Sequence, residues 1–299
     1  MTTQPRLSLS RDIVGVTTGP ITHHIDARWL MAFAAGLGET DSRYFDTLAP
    51  DGPAPHPLFS VCYEWPVLLA VRARATPDEV ALRSVHATHD LTLHRTPCSG
   101  DTLHTSARVT GLARRRAGTL VTVRLETVDA AGRQVTTSDY GSVYRGVGFE
   151  GEDTGAGAEE RGGSEMPAAA IELPVALPAG LAHVYTECAR IWNPIHTDVA
   201  VARAAGLPDI ILHGTATLAL AVSRVLDHAG ADPRAVRRVS GRFTGMVPLP
   251  SRLTLRVAHV PDSHAVRFSV AGEDGVPVLS GGAVHLAWPS ARALPKETP

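Results

Sequence analysis

One order of signals occurs twice along these 299 residues, and that repeat limits the fold more than any single motif does. In the first half, "DARWLMAFAAGLGET" carries Trp29, Phe33 and Leu37 at helical spacing. The polar turn "GETDSRYFD", the apolar helix "EWPVLLAVRARA" and four alternating stretches follow, with turns at 116–118 and 129–132. The second half runs through "LAHVYTECARIW", the turn "NPIHTD", the apolar helix "HGTATLALAVSRVLDHAG" and a second set of alternating stretches. Tyr44 and His196 lie 152 positions apart, and Pro97 and Pro248 lie 151 apart. Two landmarks shifted almost equally indicate an internal duplication. Each copy predicts an α+β unit in which an antiparallel sheet wraps around one buried helix. The expected boundaries are 1–146 for the first unit, 147–174 for a flexible connector rich in Gly, Glu, Ala and Pro, and 175–299 for the second unit.

Composition narrows the function classes. A net charge of -2 leaves no excess of cations to neutralise phosphates, which argues against a nucleic-acid partner. Cys62, Cys98 and Cys188 are too scattered for a disulfide framework or a zinc site. The polar stretch from Met1 to Arg11 lacks an apolar signal core, and no apolar run reaches the length of a membrane span. The expectation is a cytoplasmic protein with no membrane contact.

Chemistry concentrates between Arg190 and Leu220, "RIWNPIHTDVAVARAAGLPDIILHGTATLAL". Pro194 stiffens the turn that presents His196, and Asp198 is placed to cap a short helix from Val199. The loop "LPDIIL" then delivers His213 and Gly214 to the start of the long apolar helix, where unpaired N–H groups and the positive end of the helix dipole point outward. An imidazole beside such a helix start suits proton abstraction next to a thioester carbonyl, because the developing enolate oxygen needs preorganised donors.

This stretch resembles the MaoC-like hydratase/dehydratase family, the R-specific enoyl-CoA hydratases. The family motif reads G-D-x-N-P-x-H, followed about eighteen residues later by the glycine of an H-G pair. Asn193, Pro194, His196, His213 and Gly214 match it, and "GRFTGMVPLPSRL" resembles a second family signature. The resemblance implies a tandem double hotdog fold and reversible addition of water to trans-2-enoyl thioesters, giving (R)-3-hydroxyacyl thioesters. It implies His196 as catalytic base or acid, Asn193 as the residue that orients it or the substrate, and the Gly214 N–H as holder of the thioester oxygen. His213, Trp192 and Ile191 are expected beside the substrate, with His213 ordering the loop and Trp192 either packing beneath it or lining the acyl pocket. The implied partner is an acyl-CoA or an acyl carrier protein thioester, with CoA or phosphopantetheine as part of the substrate and no separate cofactor or metal. A homodimer is left open. The first unit carries a degraded motif, with Glu39, Asp41 and Tyr44 in place of Asp, Asn and His, which predicts a wall of the substrate tunnel without chemistry of its own.

One departure stands out. The family's aspartate falls five residues before the histidine, where this chain has Ile191, preceded by Arg190. Either His196 acts as acid and base in turn, or another carboxylate serves, or the reaction is not simple hydration. Asp198, Glu187, Glu39 and Asp41 are the carboxylates considered for that role. The alternatives to hydration are a conjugate-addition cyclase and a non-catalytic thioester-binding or scaffold protein. Elsewhere, His86 and His89 are expected on opposite faces of a strand and so unable to share a metal. Arg114–Arg116 reads as a solvated hairpin, and Ser223 lies in a helix without the glycines of a nucleophile elbow.

Overall fold

The structure is a computed structural model that describes residues 7–155, 166–167, 169–260 and 263–287. The first unit comprises β1 (Ser8–Leu9), β2 (Thr17–His24), α1 (Ala27–Gly36), α2 (Ser60–Ala75), α3 (Asp78–Ala81), β3 (Ser84–Leu93), β4 (Thr102–Arg115), β5 (Gly118–Asp129), β6 (Gln134–Arg145) and β7 (Gly148–Phe149). The second comprises β8 (Ile171–Leu177), α4 (Leu181–Ala189), α5 (Val199–Ala204), α6 (Gly214–Ala229), β9 (Val236–Phe243), β10 (Ser251–His259), β11 (Ala265–Ala271) and β12 (Pro277–Leu286).

Ten of the strands form one antiparallel sheet in the order β2-β4-β5-β6-β3-β9-β12-β11-β10-β8. Numbered within its own unit, each half reads 1-3-4-5-2 from its outer edge to the middle, so the duplicated sequence order is a duplicated topology. The halves join where β3 pairs with β9, from Thr88 opposite Arg242 to Thr92 opposite Arg238. Arg238 Nε donates to Asp90 Oδ1 across this seam at 2.7 Å.

The central helices α2 and α6 each have 16 residues. In α6 an unbroken run from Thr215 to Ser223 is buried, and Gly230 ends the helix in a left-handed turn at φ 57°. One apolar core takes in Trp29, Phe33, Tyr185, Leu218, Leu255 and Phe268 from both units. Helices α1 and α4 pack together so closely that a Cβ on Gly36 would lie 2.7 Å from Cys188 Cβ.

The expected connector at 147–174 is shorter than its composition implies. Residues 156–165 and 168 of it lie outside the described residues. Its first part is tied down: β7 pairs in parallel with β1, and Thr154 and Leu112 exchange two backbone hydrogen bonds of 2.8 and 3.0 Å. Its last part belongs to the sheet, since β8 begins at Ile171 and pairs with β10. Composition predicts flexibility only where the backbone finds no partner, and here strand edges supply one. No helix among the described residues is long and apolar enough to cross a membrane.

Candidate active site

Helix α4 ends at Arg190, which adopts a left-handed conformation at φ 58° and stacks its guanidinium over the Trp29 ring at 4.0 Å. The chain then turns through Ile191 and Trp192 into the Pro194–His196 3-10 turn, whose first N–H, that of Ile195, is capped by Asn193 Oδ1 at 3.5 Å. Asp198 caps α5 as its position predicts, accepting from the N–H groups of Ala200 and Val201. The sequence thus folds locally into two short, capped turns that leave His196 little freedom.

His196 is buried, and its Nδ1 lies 2.8 Å from the carbonyl oxygen of Ile211. A carbonyl can only accept, so Nδ1 carries the proton and Nε2 keeps its lone pair. Burial pushes the imidazole pKa down to about 4, against the opposing pull of the Ile211 carbonyl. His213 stacks on it, ring centroids 3.7 Å apart and 26° between planes. His213 Nε2 lies 3.4 Å from the Ile191 carbonyl and 3.3 Å from Thr186 Oγ1, while its Nδ1 is buried without a partner. Gly214 opens α6 directly after, so its N–H belongs to the first turn, which has no intrahelical acceptor.

These groups face one cavity of about 220 Å³, built by both units. From the second come Ile191, Asn193, His196, His213, Gly214 and Phe243; from the first come Val61, Glu64, Trp65, Leu68 and Arg72 on one face of α2, with His86, His89 and Tyr140 from the sheet. A larger, open depression of about 1000 Å³ between α1, β8 and α6 contains neither His196 nor the start of α6.

Most of the sequence-derived residues come together here, but not all. Trp192 does not: the residue is 59% exposed, its Nε1 lies 3.5 Å from Glu187 Oε2, and it is absent from the cavity wall. The left-handed turn at Arg190 sends Ile191 inward and its neighbour outward. Ile191 is buried and lines the cavity where a carboxylate was sought. None of the four carboxylates considered from sequence reaches the cavity. Asp198 is spent on its cap and Asp41 on Arg43, Glu187 is exposed, and Glu39 accepts from Ser223 Oγ.

Glu64 is the carboxyl group that sequence reasoning missed. It lines the cavity, is buried, and accepts from Ser138 Oγ at 2.6 Å. Burial raises its pKa to about 7, against the lowering effect of the Ser138 hydrogen bond. The available signal was a lone acid in the apolar run "EWPVLLAV".

His86 and His89 correct a second expectation. They do not face opposite sides: both line the cavity, with ring centroids 5.5 Å apart. The register slips between His86 and Thr88, a bulge that resets the alternation of β3. Gly141 on β6 makes room for it, since a Cβ there would lie 2.1 Å from Thr88 Oγ1.

The first unit's copy of the site is filled. Tyr44 stacks on the buried His56, ring centroids 6.0 Å apart, where the second unit has His196 on His213. His56 Nδ1 accepts from Leu58 N, so its Nε2–H donates to Ser223 Oγ, and Ser223 in turn donates to Glu39. The imidazole therefore has no lone pair left with which to activate Ser223.

Two units of identical topology, joined edge to edge, with a capped histidine and a helix start opening into one shared cavity, define a double hotdog fold. Residues 179–280 match the MaoC like domain, and residues 12–138 match the FAS1-like dehydratase domain region. The chain carries a MaoC-like dehydratase domain and a FAS1-like dehydratase region in tandem.

The chain is similar to the MaoC-like dehydratase of Phytophthora capsici, with a TM-score of 0.79 at 20% identity, over 91% of this chain and 95% of that one. Among curated relatives, the peroxisomal multifunctional enzyme type 2 of Drosophila melanogaster is 31% identical over 196 residues, 64% of this chain and 32% of that protein. The enoyl-CoA hydratase ChsH3 of Mycobacterium tuberculosis is 33% identical over 143 residues, 46% of this chain and 49% of that one. The fatty acid synthase beta subunit pkiC of Emericella nidulans is 38% identical over 77 residues, 25% of this chain and 4% of that one. Each of these matches thus spans less than half of the curated relative.

Proposed function

We propose that this protein is a hydro-lyase of acyl thioesters, adding water reversibly to trans-2-enoyl thioesters to give (R)-3-hydroxyacyl thioesters. The observation that carries the reading is the free Nε2 lone pair of His196 in the same cavity as the first turn of α6. The tandem dehydratase-type domains support it, as does the naming of one relative as an enoyl-CoA hydratase.

In the hydration direction the thioester oxygen takes the Gly214 N–H. His196 Nε2 accepts a proton from water as the water oxygen bonds to Cβ. The Cα=Cβ electron pair moves to the thioester, and the enolate oxygen is held by the helix start. Glu64, protonated below a pKa of about 7, delivers the proton that completes the bond at Cα, filling the role that Ile191 cannot. Return of one proton from the imidazolium to the carboxylate restores both groups. Dehydration runs the same steps backward. His213 positions His196, and Asn193 holds the turn that presents it. The thioester arm is supplied by CoA or by the phosphopantetheine of a carrier protein, and the chemistry calls for no other cofactor.

The test is loss of conjugated-thioester absorbance on incubation with trans-2-enoyl-CoA esters. Turnover is expected in the wild type and a fall of about 10²–10⁴-fold in His196→Ala. Undiminished turnover in that variant, or none in the wild type across short and medium chains, overturns the proposal.

A further inference from the structure

The wall of the cavity away from Gly214 is more polar than a hydrocarbon chain requires. His89 is 1% exposed, lines the cavity, and has no hydrogen-bond partner at either ring nitrogen. Beside it, His86 lies flat on Tyr140, ring centroids 3.7 Å apart and 11° between planes. Phe243 links this cluster to the oxyanion end, its ring centroid 4.4 Å from that of His86 and its edge 3.3 Å from where a Cβ on Gly214 would stand. The bulge in β3 turns His86 toward this cavity, and the seam register places His89 opposite Gly241 of the second unit.

A buried imidazole with two unsatisfied nitrogens is costly unless something in the cavity pairs with it. In its neutral form it offers one N–H and one lone pair. An alkyl chain laid against it would leave both unpaired, whereas a hydroxyl can accept from the N–H or donate to the lone pair and so satisfy one of the two.

Resting on the thioester reading above, we propose that His89, walled by His86 and Tyr140, forms a specificity subsite for an oxygenated acyl chain, one that carries a hydroxyl group beyond Cβ. The substrate class is then a hydroxylated acyl thioester rather than a plain fatty acyl thioester. A step that leaves oxygen on the chain, such as incomplete reduction during chain assembly or hydroxylation of a finished chain, must supply it.

The test uses the full chain and saturated pantetheine thioesters, which bind without reacting: octanoyl, and octanoyl with a single hydroxyl walked from C4 to C8. At least one hydroxylated member is expected to bind about tenfold or more tightly than octanoyl by calorimetry. That gain is expected to vanish in His89→Leu and to survive in part in His89→Asn, with octanoyl affinity changing less than about threefold in either. A flat wild-type series overturns the subsite whether or not the variants fold, and so does a gain that persists in His89→Leu. If the wild type hydrates trans-2-octenoyl-CoA yet shows a flat series, the subsite fails alone. If no thioester binds or reacts, the hydratase reading fails and takes the subsite with it.

Discussion

The imidazole of His196 lies face to face with that of His213, 3.7 Å between centroids, and each ring is anchored through a different nitrogen to a backbone carbonyl. Nδ1 of His196 is tied to Ile211 and Nε2 of His213 to Ile191, so the two rings hold opposite tautomers. Burial and the neighbouring ring both disfavour charge on His213, whose pKa is pushed well below its ordinary value. The arrangement presents a neutral base with a fixed tautomer at neutral pH.

In the proposed mechanism His213 is a positioning residue. His213→Phe keeps a ring under His196 but removes the hydrogen bond to Ile191. It is expected to lower kcat about tenfold with a smaller change in KM, and to destabilise the fold by about 1–3 kcal/mol because the Ile191 carbonyl loses a buried partner. Steady-state kinetics and urea unfolding check the two parts separately.

The rate should depend on pH in two limbs. The proposed hydration requires His196 unprotonated, which holds above its pKa of about 4, and Glu64 protonated, which holds below about 7. The kcat/KM profile for hydration is expected to be bell-shaped between those values. Glu64→Gln is expected to cost about 10²-fold or more and to abolish the alkaline limb. An unchanged alkaline limb in that variant would remove Glu64 from the mechanism.

Stability should move with pH in both directions. His56, His89 and His196 have folded pKa values near 3, 4 and 4, below the ordinary 6.5. Below pH 6.5 the unfolded chain binds protons that the folded one refuses, so their contribution is full above 6.5 and is lost as pH falls toward 4. The slope is about 1.4 kcal/mol per pH unit for each such group. Glu64 has the opposite sign. Its raised pKa favours the folded state below 4.5, and that contribution is lost as pH rises through about 7. Thermal unfolding of the wild type should fall steeply below pH 6.5, and Glu64→Gln should gain relative to wild type between pH 5 and 8.

The bulge in β3 should be sensitive to one methyl group. Gly141→Ala sets a Cβ 2.1 Å from Thr88 Oγ1 and is expected to destabilise by about 1–3 kcal/mol. Adding Thr88→Ala removes that hydroxyl and should restore part of the loss, a coupling that a double-mutant cycle in urea measures.

Several features could be read from residues close in the chain. The NPIH turn, its caps at Asn193 and Asp198, and the His213–Gly214 opening of α6 all follow from local rules of proline, capping and helix starts. Two landmarks with nearly equal offsets predicted two units, and both units have the 1-3-4-5-2 topology. The failures came where distant backbone decided. Strand alternation put His86 and His89 on opposite faces until the bulge against β6 added a residue. Trp192 looked like a pocket residue until Arg190, held over Trp29 of the first unit, turned the chain left-handed.

The sequence by itself determined which residues repeat, where the helices begin, that His196 would close a stiff, capped turn and that Gly214 would open a helix. Those properties depend on dihedral preferences and hydrogen bonds within a few residues. Only the tertiary structure decided that α2 of the first unit would place Glu64 on the wall of the cavity that His196 also lines, and that His89 would line the same cavity with its nitrogens unpaired. Burial and cross-strand register arise from contacts between segments far apart in the chain, and no local pattern carries them.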